Sequence, residues 1–278
     1  MSHRAIYITG ASGFIGSHLS KKLYAENIVS YPVSRKKTKL KNSILVDNYK
    51  DIIPKKNSIL IHLAETNDIH KADSTGELFV KMNKKLLIEL IKKKWDHIIY
   101  ISTALINEKN HLNKGYLAKK NFFYIRSKLE CERIVLKNNG TVLRMTNLYG
   151  PGMSENNVFS DILKQLNKKQ IKLKNLKAKR DFLWIDDAVD AILFAINNKS
   201  KNIFNIASNN VISVHNLVKI FLKITGQKKR IIGIEDADDE IDFLRNIKKT
   251  LLELKWKPST NLEVGIKKLL LYNRTNVK

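Results

Sequence analysis

Tyr124 and Lys128 are the side chains of this sequence whose types and spacing most directly indicate proton chemistry. Residues four positions apart share one face of a helix. A nearby ammonium stabilises a phenolate, which suits the phenol to donating or accepting a proton near neutral pH. Ser102 and Thr103 add two hydroxyls at the end of a predicted strand over 96–102, and α/β sheets bind ligands at the carboxyl ends of their strands. Alone, a Tyr-x-x-x-Lys pair is usually a surface pair, and a hydroxyl pair at a strand end is equally typical of simple turn chemistry.

A glycine motif near the start of the chain gives these side chains a context. The apolar run Ile6–Thr9 predicts a buried strand, and Gly10, Gly13 and Gly16 follow it at a spacing of three. Apolar residues then recur at helical spacing. A strand, a tight glycine turn and a helix let N–H groups at the helix N-terminus approach a pyrophosphate. The sequence therefore predicts a dinucleotide site that precedes the hydroxyl pair and the tyrosine–lysine helix.

The end of the second predicted strand, 27–34, indicates which dinucleotide binds. An acidic residue about 20 positions after the glycine motif would bind the adenosine ribose 2′-OH, and none stands there. The chain offers Ser34, Arg35 and Lys36 instead, and arginine forks fit phosphate. We therefore predict NADP(H); the alternative is an exposed basic loop beside a site for NAD(H). Asp47 ends a third predicted strand and is expected to meet the adenine.

Three further segments carry polar residues in recognisable patterns. The run 58–64 predicts a buried fourth strand, in which His62 is expected to be a satisfied core histidine because no second histidine has metal-ligand spacing. Residues 77–94 predict an amphipathic helix with Asn83 on or beside its stripe, where an inward amide would brace a catalytic loop. The lysine-rich stretch 164–180 has two interpretations: its lysines steer an anionic nucleotide sugar into the cleft, or, apart from Arg180, they lie on a solvated helix and hairpin. The apolar stripe of the helix over 77–94 consists of Leu78, Met82, Leu86, Leu90 and Ile91.

The composition bounds the class of protein. Lys and Arg number 51 against 26 Asp and Glu, a formal net charge of +25. The lysines are spread over the whole length with few aromatic residues among them, so we interpret the charge as solvated surface and expect no nucleic-acid partner.

Cys131 is the single cysteine, which excludes an intrachain disulfide and a thiolate zinc cluster. No apolar run approaches the roughly 20 residues of a membrane span, and the start leaves no room for a signal peptide. We expect a cytoplasmic protein.

Taken in order, these motifs resemble the extended short-chain dehydrogenase/reductase family, in its nucleotide-sugar epimerase/dehydratase group. The resemblance covers nearly the whole chain. Its matching segments are Thr9–Ser17, Ile61–Ala64 with Asn83, Ile101–Thr103, Tyr124 with Lys128, Leu143–Pro151, Arg180–Asp187, Phe204–Ala207 and Leu254–Pro258. In the last segment Lys255 stands where the family has a glycine.

The resemblance implies the fold and its division. The fold is an α/β, doubly wound parallel sheet of the Rossmann type with a smaller, mixed C-terminal substrate domain. Residues 1–150 would form the dinucleotide-binding domain, with 183–207 returning to it. Residues 151–278 would form the substrate-binding domain.

The resemblance also implies residue roles. Tyr124 would be the acid/base, Lys128 would hold the nicotinamide ribose, and Thr103 would bond the reacting oxygen. The remaining cofactor-binding residues are Gly10, Gly13, Phe14, Ile15, Gly16, Ser34, Arg35, Lys36, Asp47, Leu63 and Ala64. The residues that would approach the nucleotide diphosphate of the substrate are Asn147, Arg180 and Arg245. No metal site is expected.

Three departures from the family pattern narrow the reaction. The family's dehydratases carry Asp-Glu after the threonine, and Ala104 and Leu105 stand here, so we expect no 4,6-dehydration. Tyr124 follows Thr103 by only 21 positions, and the loop Asn107–Asn121 between them lacks the usual Tyr-Gly. The chain is also short for the group, which predicts a trimmed substrate domain.

The sequence supports one main hypothesis and two alternatives. The main one is NADPH-dependent reduction of a nucleotide-linked 4-keto sugar, with the tyrosine as acid. The first alternative is a nucleotide-sugar 4-epimerase that retains NAD tightly. The second is a non-catalytic dinucleotide- or polyanion-binding protein. By family association we expect a role in polysaccharide biosynthesis and a homodimer formed through the helices around 77–94 and 124–137.

Overall fold

The computed structural model describes residues 4–106, 121–235 and 246–276. The chain forms two compact units. The first unit comprises Met1–Met145, Val189–Ile206 and Lys248–Trp256, so far as they are described. The second comprises Thr146–Ala188, Ala207–Ile247 and Lys257–Lys278, with the same restriction.

The first unit is built on a seven-stranded sheet in which every pair of neighbouring strands is parallel. Its strands are β1 (Ile6–Thr9), β2 (Ser30–Ser34), β3 (Ile44–Leu45), β4 (Ile59–His62), β5 (His97–Thr103), β6 (Thr141–Met145) and β10 (Ile203–Ile206). They lie in the order β10-β6-β5-β4-β1-β2-β3. The strand order reverses between β1 and β4, and such a switch point is where open α/β sheets bind ligands. The predicted fold class is confirmed.

The described residues of the two units also form α-helices. They are α1 (Phe14–Ala25), α2 (Ile69–Thr75), α3 (Glu77–Ile91), α4 (Phe122–Lys137), α5 (Val158–Leu163), α6 (Ile185–Asn198), α7 (Val214–Thr225) and α8 (Leu262–Asn276). A 3-10 turn covers Tyr49–Asp51, and a π-helical turn covers Thr250–Leu254. Within the described ranges, no helix combines the length and the apolar character needed to cross a membrane.

The core of the first unit contains alternate strand residues packed with α3 and α4, since successive side chains of a strand point to opposite faces. The strands contribute Tyr7, Leu60, Tyr100 and Val142, and the two helices contribute Leu87, Leu90, Cys131 and Val135.

The predicted stripe of α3 is partly wrong. Leu78 and Met82 are more than half exposed. The buried face consists of Phe79, Val80, Asn83, Leu87 and Leu90. Apolar residues occupy two overlapping faces of this helix. Packing against α4 and the sheet buries the face that contains Asn83 and leaves part of the other exposed.

The second unit contains two small sheets. In one, β9 (Lys179–Trp184) pairs in parallel with β7 (Asn147–Tyr149) and antiparallel with β11 (Val211–Ser213). In the other, β8 (Gln170–Leu173) pairs in parallel with β12 (Arg230–Gly233). The hairpin and helix predicted over 164–180 are therefore wrong, because β8 pairs with a strand 60 positions away and α5 ends before the lysines begin.

Candidate active site

The glycine turn after β1 requires glycine at its first and third positions. Gly10 has φ +71°, and a Cβ there would lie 2.9 Å from backbone atoms of Leu63 and Ala64. At Gly16 a Cβ would lie 2.5 Å from the Gly10 carbonyl oxygen and 2.7 Å from the Ala11 Cα. The turn is thus pressed between the start of α1 and the end of β4, at the switch point of the sheet. Leu63 and Ala64, two predicted cofactor residues, lie directly beside it.

The start of α1 is open to an anion. Gly13 is the residue before the helix, and no side chain caps the N-terminus there. The first N–H groups of a helix have no partner inside it, and here they belong to Phe14, Ile15 and Gly16. The first intrahelical bond runs from the Ser17 N–H to the Gly13 carbonyl, at 2.9 Å. Unpaired N–H groups and the positive end of the helix dipole favour phosphate, so these residues fit a dinucleotide pyrophosphate.

A basic cavity of about 230 Å³ lies next to this turn, lined by Ser12, Arg35, Lys36 and Tyr49. The Arg35 guanidinium lies 5.6 Å from the centroid of the Tyr49 ring. Sequence reasoning missed two of these residues. Ser12 lies inside the glycine motif and could have been inferred from it. Tyr49 begins the 3-10 turn after β3, and no local signal marks it.

Two other residues predicted for this region have different positions. Ser34 is buried at the end of β2, and its hydroxyl oxygen accepts the Lys36 N–H at 3.0 Å. It therefore shapes the basic loop. Asp47 is exposed and is not among the residues that line the cavity, and its contact with the adenine stays a prediction.

Helix α4 carries Tyr124 and Lys128 one turn apart, and both are buried. The Lys128 Nζ lies 5.9 Å from the centroid of the Tyr124 ring. Asn83 of α3 points inward, as the sequence allowed, and its Nδ2 donates to the Ser127 Oγ at 3.1 Å. The amide therefore fixes α3 against the helix that carries the candidate acid.

The two hydroxyls at the end of β5 serve different partners. The Ser102 hydroxyl donates to the Glu132 Oε1 at 2.6 Å. The Thr103 Oγ1 accepts the Leu105 N–H at 3.2 Å, and this side chain is also buried. Since successive strand residues point to opposite faces, only one of the pair can face a ligand. The carboxylate already holds Ser102, which favours Thr103 for the reacting oxygen.

Glu65 is the residue of this region that sequence reasoning missed altogether. Its Oε2 lies 2.5 Å from the Lys128 Nζ, and their side chains are 2% and 5% exposed. Burial raises the pKa of Glu65, but the Lys128 ammonium, His62 and the hydrogen bonds from Lys128 and Tyr100 together hold that pKa below its usual range. Burial lowers the pKa of Lys128, but the Glu65 carboxylate, with smaller contributions from Tyr124 and Cys131, more than offsets this and raises it. Both directions indicate a buried pair that stays ionised.

The residues predicted to meet the substrate lie in the second unit. Asn147 and Arg180 stand on the neighbouring strands β7 and β9, where Asn147 is in register with Phe182. The Asn147 Nδ2 donates to the Asp181 carbonyl at 3.2 Å. Arg245 lies outside the described residues, as do 107–120 of the loop between Thr103 and Tyr124.

A glycine turn at the switch point of a parallel sheet, followed by a tyrosine–lysine helix, defines the class of short-chain dehydrogenases and reductases. Within that class, residues 6–207 match the model of the NAD dependent epimerase/dehydratase family. The chain belongs to this family, and the resemblance stated from the sequence is confirmed. Among the described residues, no group of histidine, cysteine and acidic side chains could hold a metal ion.

Relatives and solved structures match almost the whole chain. The CDP-abequose synthase of Salmonella typhimurium is 28% identical over 95% of this chain and 97% of its own length. The dTDP-4-dehydro-6-deoxyglucose reductase of Escherichia coli is 25% identical over 95% of this chain and 96% of its own length. The UDP-glucose 4-epimerase of Thermotoga maritima, solved with UDP-glucose, shares the fold with a TM-score of 0.81, at 22% identity, over 99% of this chain and 100% of its own.

Proposed function

We propose that this enzyme is an NADPH-dependent reductase of a nucleotide-linked 4-keto sugar. The observation that carries the proposal is the cavity beside the glycine turn that Arg35 and Lys36 line, because these cations favour the NADPH that a reductase consumes. Tyr124, one helical turn from the buried Lys128 ammonium, would supply the acid, because the ammonium stabilises the phenolate that proton transfer leaves. The relative from Escherichia coli bears a reductase name and is similar over nearly its full length, which is compatible with this reaction, and another relative of nearly full length bears an epimerase name.

Thr103, Tyr124 and Lys128 would have separate roles in the proposed reduction. Thr103, beyond its bond from the Leu105 N–H, would donate its hydroxyl hydrogen to the carbonyl oxygen of the sugar and orient it. Tyr124 would give its proton to the same oxygen as the alcohol forms, and would regain a proton from solvent. Lys128 would bind the nicotinamide ribose and stabilise the phenolate left on Tyr124. The bound cofactor supplies the hydride that the carbonyl carbon receives.

The absence of acidic residues directly after Thr103 in the sequence supports reduction over dehydration. Ala104 is buried and Leu105 is 42% exposed, and neither side chain can protonate a leaving hydroxyl or remove a ring proton. A reductase needs one acid, which Tyr124 supplies.

The preference for NADP(H) is supported by the basic cavity. Arg35 and Lys36 line it together with Ser12 and Tyr49, and the Arg35 guanidinium stays within 5.6 Å of the tyrosine ring centroid. Arginine presents its donors as a planar fork that suits phosphate. A 2′-phosphate placed against this cavity would meet two cations and a hydroxyl. Direct titration of NADPH and NADH tests the preference, and tighter NADH would overturn it.

The further expectations complete the proposal. The first unit would bind the dinucleotide, and Asn147 and Arg180 of the second would approach the diphosphate of the sugar nucleotide. A cytoplasmic homodimer formed through α3 and α4, acting in polysaccharide biosynthesis, stays a prediction.

Replacement of one oxygen tests the acid. Tyr124→Phe should lower kcat by roughly 10²- to 10⁴-fold, the contribution of a positioned general acid, with little change in NADPH affinity. Tyr24→Phe removes an exposed phenol and should leave kcat unchanged. Activity of Tyr124→Phe within threefold of the parent would overturn the assignment.

A 4-epimerase would use the same tyrosine, lysine and threonine, so the bound cofactor must distinguish the two reactions. Mass spectrometry of the gently purified protein, after denaturing release, identifies any dinucleotide and sugar nucleotide together. NADP(H), or a site that fills with NADPH, supports the reductase. Stoichiometric NAD(H) that survives purification, with no net NADPH consumption, would replace the reductase by the epimerase.

A further inference from the structure

Lys128 is buried so deeply that it needs a counter-charge. Its Nζ is 2.5 Å from the Glu65 Oε2 and 3.1 Å from the Ile101 carbonyl oxygen. A fully buried lysine without such partners can lose several pKa units. The carboxylate is therefore what keeps the ammonium protonated at this position.

The carboxylate itself is fixed. The Tyr100 hydroxyl lies 2.9 Å from each of the two Glu65 oxygens. Burial and the carboxylate raise the pKa of Tyr100 well above its ordinary value, so this hydroxyl remains a donor. Glu65 thus has a neutral donor on one side and a cation on the other, and it cannot rotate without breaking both contacts.

The His62 ring is a second group that faces the Glu65 carboxylate, and Thr9 fixes the position of its proton. The Thr9 Oγ1 accepts the N–H groups of Leu63 at 3.2 Å and Ala64 at 3.3 Å, which use both lone pairs of the hydroxyl. Its hydrogen therefore goes to the His62 Nδ1 at 2.8 Å, the short contact, rather than to the Ile61 carbonyl at 3.5 Å.

This assignment places the proton of the neutral His62 ring on Nε2. The Nε2 lies 3.9 Å from the Glu65 Oε1, so the ring presents an N–H to the carboxylate. Thr9 immediately precedes the glycine turn, and its hydroxyl fixes the ring of His62, whose Nε2 faces the Glu65 carboxylate without reaching hydrogen-bond distance.

The ammonium has donor capacity left. It carries three hydrogens, and its contacts with Glu65 and Ile101 use two of them among the described residues. The Nζ lies 5.1 Å from the centroid of the Tyr100 ring and 5.9 Å from that of Tyr124. Fixing two hydrogens determines the direction of the third.

We propose that Glu65 is a positioning residue, which keeps the Lys128 ammonium charged and directs its remaining N–H to the nicotinamide ribose. The inference rests on the proposed function for the role of Lys128. The titratable groups that face the ammonium are Glu65 and His62 from β4 and the loop after it, Tyr100 from β5, and Tyr124 and Cys131 from α4. Of these, Glu65 is the one held ionised at neutral pH.

The test replaces the charge and keeps the shape. Glu65→Gln should lose NADPH affinity as pH rises, because Lys128 then deprotonates at lower pH than in the parent. We expect the alkaline fall in affinity, and that of kcat/KM, to move to lower pH by about one unit or more, equivalent to a tenfold change at fixed pH. Glu65→Asp, which restores the charge, should move the profile most of the way back. Glu130→Gln, on an outer face of α4 with Lys84 and Arg126, is the matched control.

The outcomes separate the two proposals. If the parent binds neither NADPH nor NADH, the proposed function fails and the role of Glu65 falls with it. If the parent binds and Glu65→Gln has the same pH profile, only the role of Glu65 is overturned. If Glu65→Gln does not fold, the NADPH affinity of Glu65→Asp at neutral pH decides, because the shorter carboxylate keeps the charge but displaces the contact with Lys128: a raised Kd supports the inference, and a Kd equal to the parent's overturns it.

Discussion

Helix α4 carries two buried charges one turn apart, and their partners differ in kind. Glu132 receives the Arg144 guanidinium through two bonds, of 2.9 Å from Nε and 2.6 Å from the terminal nitrogen, and the Ser102 hydroxyl at 2.6 Å. The Glu132 and Arg144 side chains are 3% and 9% exposed. This fork is bidentate, the strong geometry for a buried ion pair, and it ties β5 and β6 to α4.

The pair of Lys128 and Glu65 is equally buried but less complete. The ammonium retains a donor, and the His62 Nε2 beside it has no hydrogen-bond partner in the part of the chain that is described. A buried polar network that contains a hydrogen-bond donor without an acceptor destabilises the fold, unless a ligand accepts that hydrogen bond. Burial alone therefore does not mark a site. The saturated pair, Glu132 with Arg144, holds the sheet to the helix, and the unsaturated pair, Lys128 with Glu65, has a donor left that can bind a ligand.

The largest expected effect comes from breaking the saturated pair. Arg144→Met leaves Glu132 buried without its cation, and removing one partner of such a pair costs about 3–5 kcal/mol. Chemical denaturation measures this as a fall in the free energy of unfolding. Arg133→Met, which replaces an exposed arginine, should stay within about 0.5 kcal/mol. A loss below about 1 kcal/mol for Arg144→Met would show that the fork is not a structural anchor.

The next largest expected effect is the pH dependence of stability that His62 causes beside the pair of Lys128 and Glu65. Burial lowers the pKa of His62 to about 4, against about 6.5 in the unfolded chain. Between these values the unfolded state binds the extra proton, so stability falls as pH decreases through that window. At pH 5 His62 should have cost the parent about 2 kcal/mol, at about 1.36 kcal/mol per unit. Burial also lowers the pKa of His97, which adds a loss of the same sign that the parent shares with any variant of His62.

The variant His62→Gln should be free of the loss that His62 causes, and the measurement is its denaturation at pH 7.5 and pH 5 beside the parent. Glu65 contributes in the same direction only at lower pH, because its pKa is depressed. His70→Gln, at an exposed site on α2, should keep the parent's dependence. Equal slopes for His62→Gln and the parent would mean that His62 is not held neutral.

The third prediction contrasts Arg144 with an arginine that is exposed. Arg35 lines the basic cavity, and its replacement should cost no fold stability. Arg35→Ala should instead raise the Kd of NADPH relative to that of NADH by roughly tenfold, the value of one charge-assisted hydrogen bond. Fluorescence titration of both dinucleotides measures the ratio. Lys41→Ala removes an exposed charge from the same segment, and an equal change in that variant would reduce the effect to general electrostatics.

Local chemistry explains what could be predicted from the sequence. The glycine turn and the Tyr124–Lys128 face depend on residues within one or two turns of each other, so spacing alone was sufficient. Glu65 lies 63 positions from Lys128, and only the adjacency of β4 and β5 brings them together. The signal was a carboxylate directly after a buried strand. Tyr49 and the partner of β8 were missed for the same reason, since their contacts are set by strand order.

Replacement of Lys255 should stabilise the protein, whereas breaking the buried pair of Glu132 and Arg144 should destabilise it. Lys255 is exposed and has φ +57°, in the left-handed region that costs an L-residue roughly 1–2 kcal/mol. The family has a glycine here, and the backbone gives the reason, since glycine adopts this conformation freely. Lys255→Gly should raise the free energy of unfolding by about 0.5–1 kcal/mol, after the greater entropy of the unfolded glycine chain is subtracted. Lys257→Gly, at an exposed position without positive φ, should change stability in the opposite direction. If both variants lose stability, the left-handed backbone at Lys255 is not strained, and the glycine of the family serves another purpose at this turn.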